Sequence, residues 1–150
     1  MKKILVPTDF SKCAVTAAEI ASDIALKSGA TLILLHVVEE ASGDSFNVEG
    51  EAGLGNYEDK LFTMKLIEKA RKQLEKMESD LGFKGAKIKT ELRIGTPFHG
   101  MRSIITDSKV DLVVMGTSGK SPLEEMIIGS NTEKVVRHAN CPVLTVHKKP

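Results

Sequence analysis

The segment Thr31-Leu32-Ile33-Leu34-Leu35-His36-Val37-Val38 constrains this chain more than any other. It is apolar almost throughout, and it has the length of a strand. A strand with one wet face alternates apolar and polar residues. A nearly continuous apolar run suits a strand covered on both faces, and such strands belong to parallel sheets packed between helices. Lys3-Ile4-Leu5-Val6, ended by Pro7, reads the same way, as does Asp111-Leu112-Val113-Val114-Met115.

Between these runs the period becomes helical. Ser11 stands at an N-cap position, Ala14, Ala17, Ala18, Ala21, Ile24 and Ala25 follow at helical spacing, and Gly29 closes the segment. An alanine face lets a helix lie close against a sheet. A second helix is predicted from about Tyr57 to Leu81, with Ile67, Ala70, Leu74, Met77 and Leu81 as its core stripe and Gly82 as its stop. Ile88 to Ile94 alternates weakly as a third strand. Thr96-Pro97 opens a third helix, with proline where a missing N–H costs nothing, and Met101, Ile104 and Ile105 form its apolar face. A helix from about Ser130 to Ala139 and a strand from Val143 to Val146, introduced by Pro142, complete a β-α-β-α-β-α-β-α-β order. Right-handed crossovers wind such a chain into an open parallel sheet with helices on both faces. Residues 41–56 interrupt the rhythm with Gly43, Gly50, Gly53 and Gly55 among polar neighbours, which reads as a long loop, either a surface insertion or a lid.

Composition narrows the function. A length of 150 residues predicts a single domain over 1–150. Lys and Arg number 21 against 20 Asp and Glu, so no general basic surface supports nucleic-acid binding. Aromatic residues at 4% supply no base-stacking platform for single strands. Cys13 and Cys141 cannot alone make a disulfide framework or a four-ligand zinc site. The apolar run after Met1-Lys2-Lys3 stops at Pro7, short of a signal-peptide core, and no stretch approaches the roughly 18–20 apolar residues of a membrane helix. The expectation is a cytoplasmic protein with neither membrane nor nucleic acid as partner.

Ligands of open parallel sheets bind beyond the carboxyl ends of the strands, where strand order reverses. Two strand ends carry informative residues. After the first comes Pro7-Thr8-Asp9, whose carboxylate suits a ribose hydroxyl or a base amine, or else caps the following helix. After the fourth comes Gly116-Thr117-Ser118-Gly119-Lys120-Ser121, and later Gly129-Ser130-Asn131 opens a helix. Gly116 and Gly119 allow close backbone approach to an anion and positive φ. Ser130 stands at a helix N-terminus, whose open amides favour phosphate. Two such turns can grip successive phosphates of one ligand. Gly119-Lys120-Ser121 ends like a Walker A loop, but Val114 occupies the place of that motif's first glycine, which argues against a P-loop NTPase. A dinucleotide Gly-x-Gly-x-x-Gly is absent after the first strand, which argues against an NAD-type enzyme.

Gly116-x-x-Gly119, nine residues, then Gly129-Ser130 resembles the ATP-binding signature of the universal stress protein family. Ile4-Leu5-Val6-Pro7-Thr8-Asp9-Phe10-Ser11 is similar to that family's opening. Leu34-Leu35-His36-Val37, Asp111 to Gly116 and Cys141-Pro142-Val143-Leu144-Thr145-Val146 are similar to its second, fourth and closing strands. The resemblance implies a Rossmann-like, adenine nucleotide alpha hydrolase-like fold: an open five-stranded parallel sheet ordered 3-2-1-4-5. It implies ATP or AMP, with or without Mg²⁺, at the ends of strands one and four. Asp9 would take the adenine or ribose edge, with Pro7 and Thr8 shaping the floor. Val37, placed after strand two, would contact adenine, and Met115 would line the base pocket. Gly116, Gly119 and Lys120 would hold the inner phosphates, and Gly129, Ser130 and Asn131 the outer ones. A homodimer through the last strand is also implied, since that edge has open hydrogen-bonding groups.

No catalytic constellation is visible. His36, His99, His138 and His147 are scattered and read as surface or capping residues, His138 in a last helical turn where a cation suits the dipole. Cys13 and Cys141 read as structural. The resulting reading is a nucleotide-binding regulatory protein of the universal stress response. A slow ATP hydrolase or phosphoryl-transfer enzyme on the same site is the alternative. A flavin electron carrier would lack aromatics to flank its ring.

Overall fold

The computed structural model describes residues 1–39, 54–117 and 128–147. Its elements run β1 (Lys3–Pro7), α1 (Lys12–Ser28), β2 (Thr31–Val38), α2 (Leu54–Gly82), β3 (Lys87–Ile94), α3 (Pro97–Asp107), β4 (Leu112–Gly116), α4 (Ser130–His138) and β5 (Val143–Val146). The five strands form one sheet in the order β3-β2-β1-β4-β5, every pairing parallel, as expected.

The apolar runs land where their composition requires. Ile4, Leu5 and Val6 of β1, Leu32 to Leu35 of β2 and Val113 and Val114 of β4 are buried, because helices cover both faces of the sheet centre. One face packs Ile4, Val6, Leu32, Leu34 and Val114 against the alanines of α1 and against Leu74 and Leu81 of α2. The other packs Leu5, Ile33, Leu35, Val113 and Met115 against Met101, Ile104 and Ile105 of α3 and Val135 of α4. Each fully buried Leu or Ile contributes about 1.5–3 kcal/mol of transfer free energy.

The helix boundaries follow local chemistry. Ser11 caps α1, its hydroxyl accepting from the Ala14 amide at 3.2 Å, a bond worth about 1 kcal/mol. Gly29 ends α1 in the left-handed region at φ 73°, as Gly at that position commonly does. Pro97 sits in the first turn of α3. The second helix begins earlier than its apolar stripe suggests: Leu54 to Asn56 are helical, so the segment 41–56 loses its last three residues to α2. Residues 41–53 lie outside the described residues, and so does the choice between insertion and lid.

Asp111 lies just before β4 and ties the start of β1 to it. Its Oδ2 accepts from the amides of Lys2 and Lys3 at 2.7 and 2.9 Å. Those two amide bonds, Lys2 first, hold its carboxyl below its ordinary value, with the positive N-terminus and Lys2 side chain adding to them. No helix among the described residues is long and apolar enough to cross a membrane.

Candidate functional site

Strand order reverses between β1 and β4, since the chain leaves β1 towards β2 and later returns on the other side. A cleft of about 320 Å³ opens at this switch point, lined by the ends of β1, β2 and β4 and by the start of α4. Pro7, Thr8, Asp9, Val37, Met115, Gly116, Gly129, Ser130 and Asn131 all line it. The cleft thus brings together nine of the residues singled out from sequence; Gly119 and Lys120 lie outside the described residues. Among the described residues no group of three or more His, Cys, Asp or Glu side chains could hold a metal ion.

The β1–α1 turn is held from several directions. Thr8 donates its amide to the Leu35 carbonyl at 2.8 Å, continuing the ladder one step past Pro7. Its hydroxyl accepts from the Phe10 amide at 3.0 Å, and Phe10 takes φ +64°, an uncommon conformation for a non-glycine residue. Asp9 uses Oδ1 to accept the Ser11 amide at 2.9 Å, so it does brace the helix entry. Its second oxygen takes no hydrogen bond among the described residues, and Asp9 lines the cleft.

Val37 needs a correction. It lies within β2, not after it, and pairs with Arg93 of β3 by register. The alternation of a parallel strand decides which way its peptide groups point. The Thr31 amide bonds Lys2 and the Leu35 carbonyl takes Thr8, so odd-numbered residues of β2 address the β1 side, while the Val38 carbonyl takes Gly95 of the β3 side. A continued ladder would give the Val37 amide the Thr8 carbonyl, and the Val37 carbonyl the Phe10 amide. Neither bond forms among the described residues, although the preceding step, Thr8 N–H to the Leu35 carbonyl, does. The Thr8 carbonyl accepts from His36 Nδ1 at 2.7 Å, and the Phe10 amide serves the Thr8 hydroxyl. The Val37 N–H and C=O therefore face the cleft without a ladder partner among the described residues.

The glycines of the motif serve different ends. Gly116 is absent from the residues of positive φ, which corrects the conformational reason expected of it. A Cβ built there would lie 2.7 Å from Cys13 Sγ and 3.2 Å from the Cys13 carbonyl carbon. The absence of a side chain lets α1 close on the end of β4, and phosphate approach is not needed to explain it. Cys13 is buried there, its thiol bonding the Val146 carbonyl at 3.1 Å. Gly129 also has negative φ, −59°, and caps α4. Its own amide is spent on the Thr117 carbonyl at 2.8 Å. The open amides of this end are instead those of the first helical turn, at Ser130, Asn131 and Thr132, which a helix cannot pair internally.

Sequence reasoning passed over several lining residues. Thr132 is buried and donates its hydroxyl to the Gly116 carbonyl at 2.8 Å, fastening α4 to the end of β4. Its signal was available: Thr132 and Val135 share one helical face. Met101 and Pro97 of α3 wall the cleft beside Val37. Gly100 of α3 lets Val37 in, since a Cβ there would meet Val37 Cγ2 at 2.6 Å. His36 is half-buried in the cleft wall and stacks on Phe10 with ring centroids 4.6 Å apart, so it is not a surface residue. His99, His138 and His147 are exposed, His138 in the last turn of α4, and His147 Nδ1 lies 3.2 Å from the Thr117 hydroxyl. Cys141 is half-buried, and burial pushes its thiol up, with the Asp111 charge adding to the effect.

An open parallel sheet with a cleft at its switch point, walled by three strand ends and a helix start, is the α/β architecture in which ligands bind beyond the strand ends. The chain belongs to the universal stress protein family, whose model matches residues 1–147. It is 36% identical to universal stress protein MJ0577 of Methanocaldococcus jannaschii, over 99% of this chain and 96% of that protein. Universal stress protein UspA of Lactobacillus plantarum superposes with a TM-score of 0.84 at 26% identity, with 97% of each chain covered. A universal stress protein crystallised in complex with cAMP superposes at 0.67 with 26% identity, over 99% of this chain and 98% of that one.

Proposed function

We propose that this protein is a cytoplasmic nucleotide-binding regulator of the universal stress response, taking ATP or AMP in the cleft and acting as a homodimer. The observation that carries the reading is Val37, whose N–H and C=O offer a donor beside an acceptor at the cleft wall. Adenine presents an acceptor, N1, beside a donor, its 6-amino group, and so meets both. Guanine presents N1–H and O6 in the reverse order and sets like against like. Met115, Met101 and the Val37 side chain supply apolar walls for a base. Pro7 and Thr8 form the floor, and the second oxygen of Asp9 suits a ribose hydroxyl. The Ser130 and Asn131 amides, with the positive end of the α4 dipole behind them, suit phosphates. Gly129 shapes that turn, and Gly116, Gly119 and Lys120 belong to the inner-phosphate motif on sequence grounds. Mg²⁺ bridging phosphates needs few protein ligands. The complex of a related family member with cAMP supports an adenine nucleotide as the class of ligand.

The dimer reading rests on β5, an edge strand whose Leu144 is 39% exposed. Antiparallel pairing with a second copy would satisfy its open groups. Mass spectrometry of small molecules released from the purified protein tests the ligand assignment. An adenine nucleotide is expected; a flavin or a guanine nucleotide as sole occupant would sink it.

A further inference from the structure

The end of the β1–β2 ladder poses a question that nucleotide binding alone does not answer. Two neighbouring strands in register ordinarily continue their ladder until one turns away. Here Thr8 still donates to Leu35, yet its carbonyl, one bond further, is not taken by Val37. It is taken by the imidazole of the intervening residue, His36, at 2.7 Å. A carbonyl only accepts, so Nδ1 carries the hydrogen and donates. The side chain replaces the backbone donor that β2 would otherwise supply.

The replacement has supports of its own. The His36 ring stacks on Phe10, and Phe10 is held at φ +64° with its amide on the Thr8 hydroxyl. Backbone strain of that kind persists only where surrounding contacts over-determine it. The turn is thereby kept from closing onto β2.

We propose that His36 is a positioning residue of the cleft: by capping the Thr8 carbonyl with Nδ1–H in place of the Val37 amide, it keeps the Val37 main-chain pair open for a nucleobase edge. The assignment rests on the nucleotide reading for its ligand, while its structural half stands by itself. In the absence of the imidazole donor, the Val37 amide is the nearest group that the ladder geometry offers to the Thr8 carbonyl. The strands then zip one step further and the base loses its recognition pair.

Residue-resolved amide hydrogen exchange by NMR tests this on the full chain, with His36→Leu and His36→Asn. Leucine removes the donor; asparagine keeps an N–H at nearly the position of Nδ1. In the ligand-free parent the Val37 amide should exchange much faster than that of Leu35. In His36→Leu it should slow by about tenfold or more, and in His36→Asn it should stay fast. ATP affinity should fall about tenfold in His36→Leu and recover in His36→Asn, since one or two hydrogen bonds are at stake. Tripolyphosphate, which has no base, should bind all three alike. A Val37 amide already protected in the parent, or unmoved by His36→Leu, would overturn the proposal. So would equal loss of ATP and tripolyphosphate, which marks general damage to the fold. If the parent takes no ATP while Val37 exchange still responds to the two substitutions, the positioning role stands and the nucleotide reading fails.

Discussion

Two glycines of one motif should fail in opposite ways when replaced by alanine. At Gly116 the new methyl would sit 2.7 Å from Cys13 Sγ and 3.2 Å from two further Cys13 atoms, the carbonyl carbon and Cβ. Carbon contacts are comfortable at about 3.5–4.0 Å, so the start of α1 must retreat by several tenths of an ångström. That retreat also pulls the thiol from the Val146 carbonyl. Overpacking of this kind costs about 1–3 kcal/mol, and each kcal/mol lowers the Tm of a chain this long by about 2–4 °C. Gly116→Ala should therefore melt about 2–12 °C below the parent without ligand. Cys13→Ala removes the atom at 2.7 Å and should restore part of the loss, a coupling that a double-mutant cycle isolates. Gly129→Ala should leave folding within about 0.5 kcal/mol, because its φ suits any residue and the nearest atom to the added carbon is the Thr117 carbonyl oxygen at 3.6 Å. Its effect should fall on the ligand. At 100 times its dissociation constant ATP should stabilise the parent by about 2.7 kcal/mol, a rise of roughly 5–11 °C, and Gly129→Ala should lose at least half of it. Thermal melts with and without ATP decide the matter. An unchanged ligand-free Tm for Gly116→Ala would refute the packing explanation, and a large fall in ligand-free Tm for Gly129→Ala, or an ATP shift that it keeps in full, would refute its assignment to the ligand side.

Asp111→Asn should reduce stability at neutral pH and flatten the acid limb of the stability curve. The folded carboxyl lies below its unfolded value, so its contribution is present above the unfolded pKa and lost as pH falls through the folded one. Chemical denaturation from pH 7 to pH 2 checks this, and parallel curves for parent and variant would contradict it. By the register of β4 against β5 the Leu144 amide serves β4 while the Thr145 amide faces the open edge, so Thr145→Pro removes an edge donor and should shift light-scattering mass from dimer to monomer or aggregate; an unchanged dimer mass would exclude β5 as the interface.

The parts of this fold legible in sequence are those where one segment carries its own constraint. The three central strands show themselves as apolar runs because burial on both faces removes any need for alternation. Ser11 and Gly29 mark the limits of α1 through purely local chemistry. The start of α2 was hidden because Gly55 reads as loop, although a helix tolerates one glycine for about 1 kcal/mol. Harder to foresee were features that exist only between segments. The direction of the Val37 peptide groups depends on the register of β1 against β2, which no local pattern encodes. The reason for Gly116 lies in Cys13, on a helix far away in the chain. His36 shows no local sign of its role, since a lone histidine in an apolar strand acquires meaning only when the Thr8 carbonyl arrives beside it.

Calorimetric titration of the nucleotide-free protein with ATP and, separately, with GTP bears most directly on the central claim. The orientation of the Val37 pair predicts saturable binding of one ATP per chain, with GTP weaker by about tenfold or more, since both main-chain contacts turn unfavourable. No heat with ATP, or equal affinity for the two nucleotides, would contradict it.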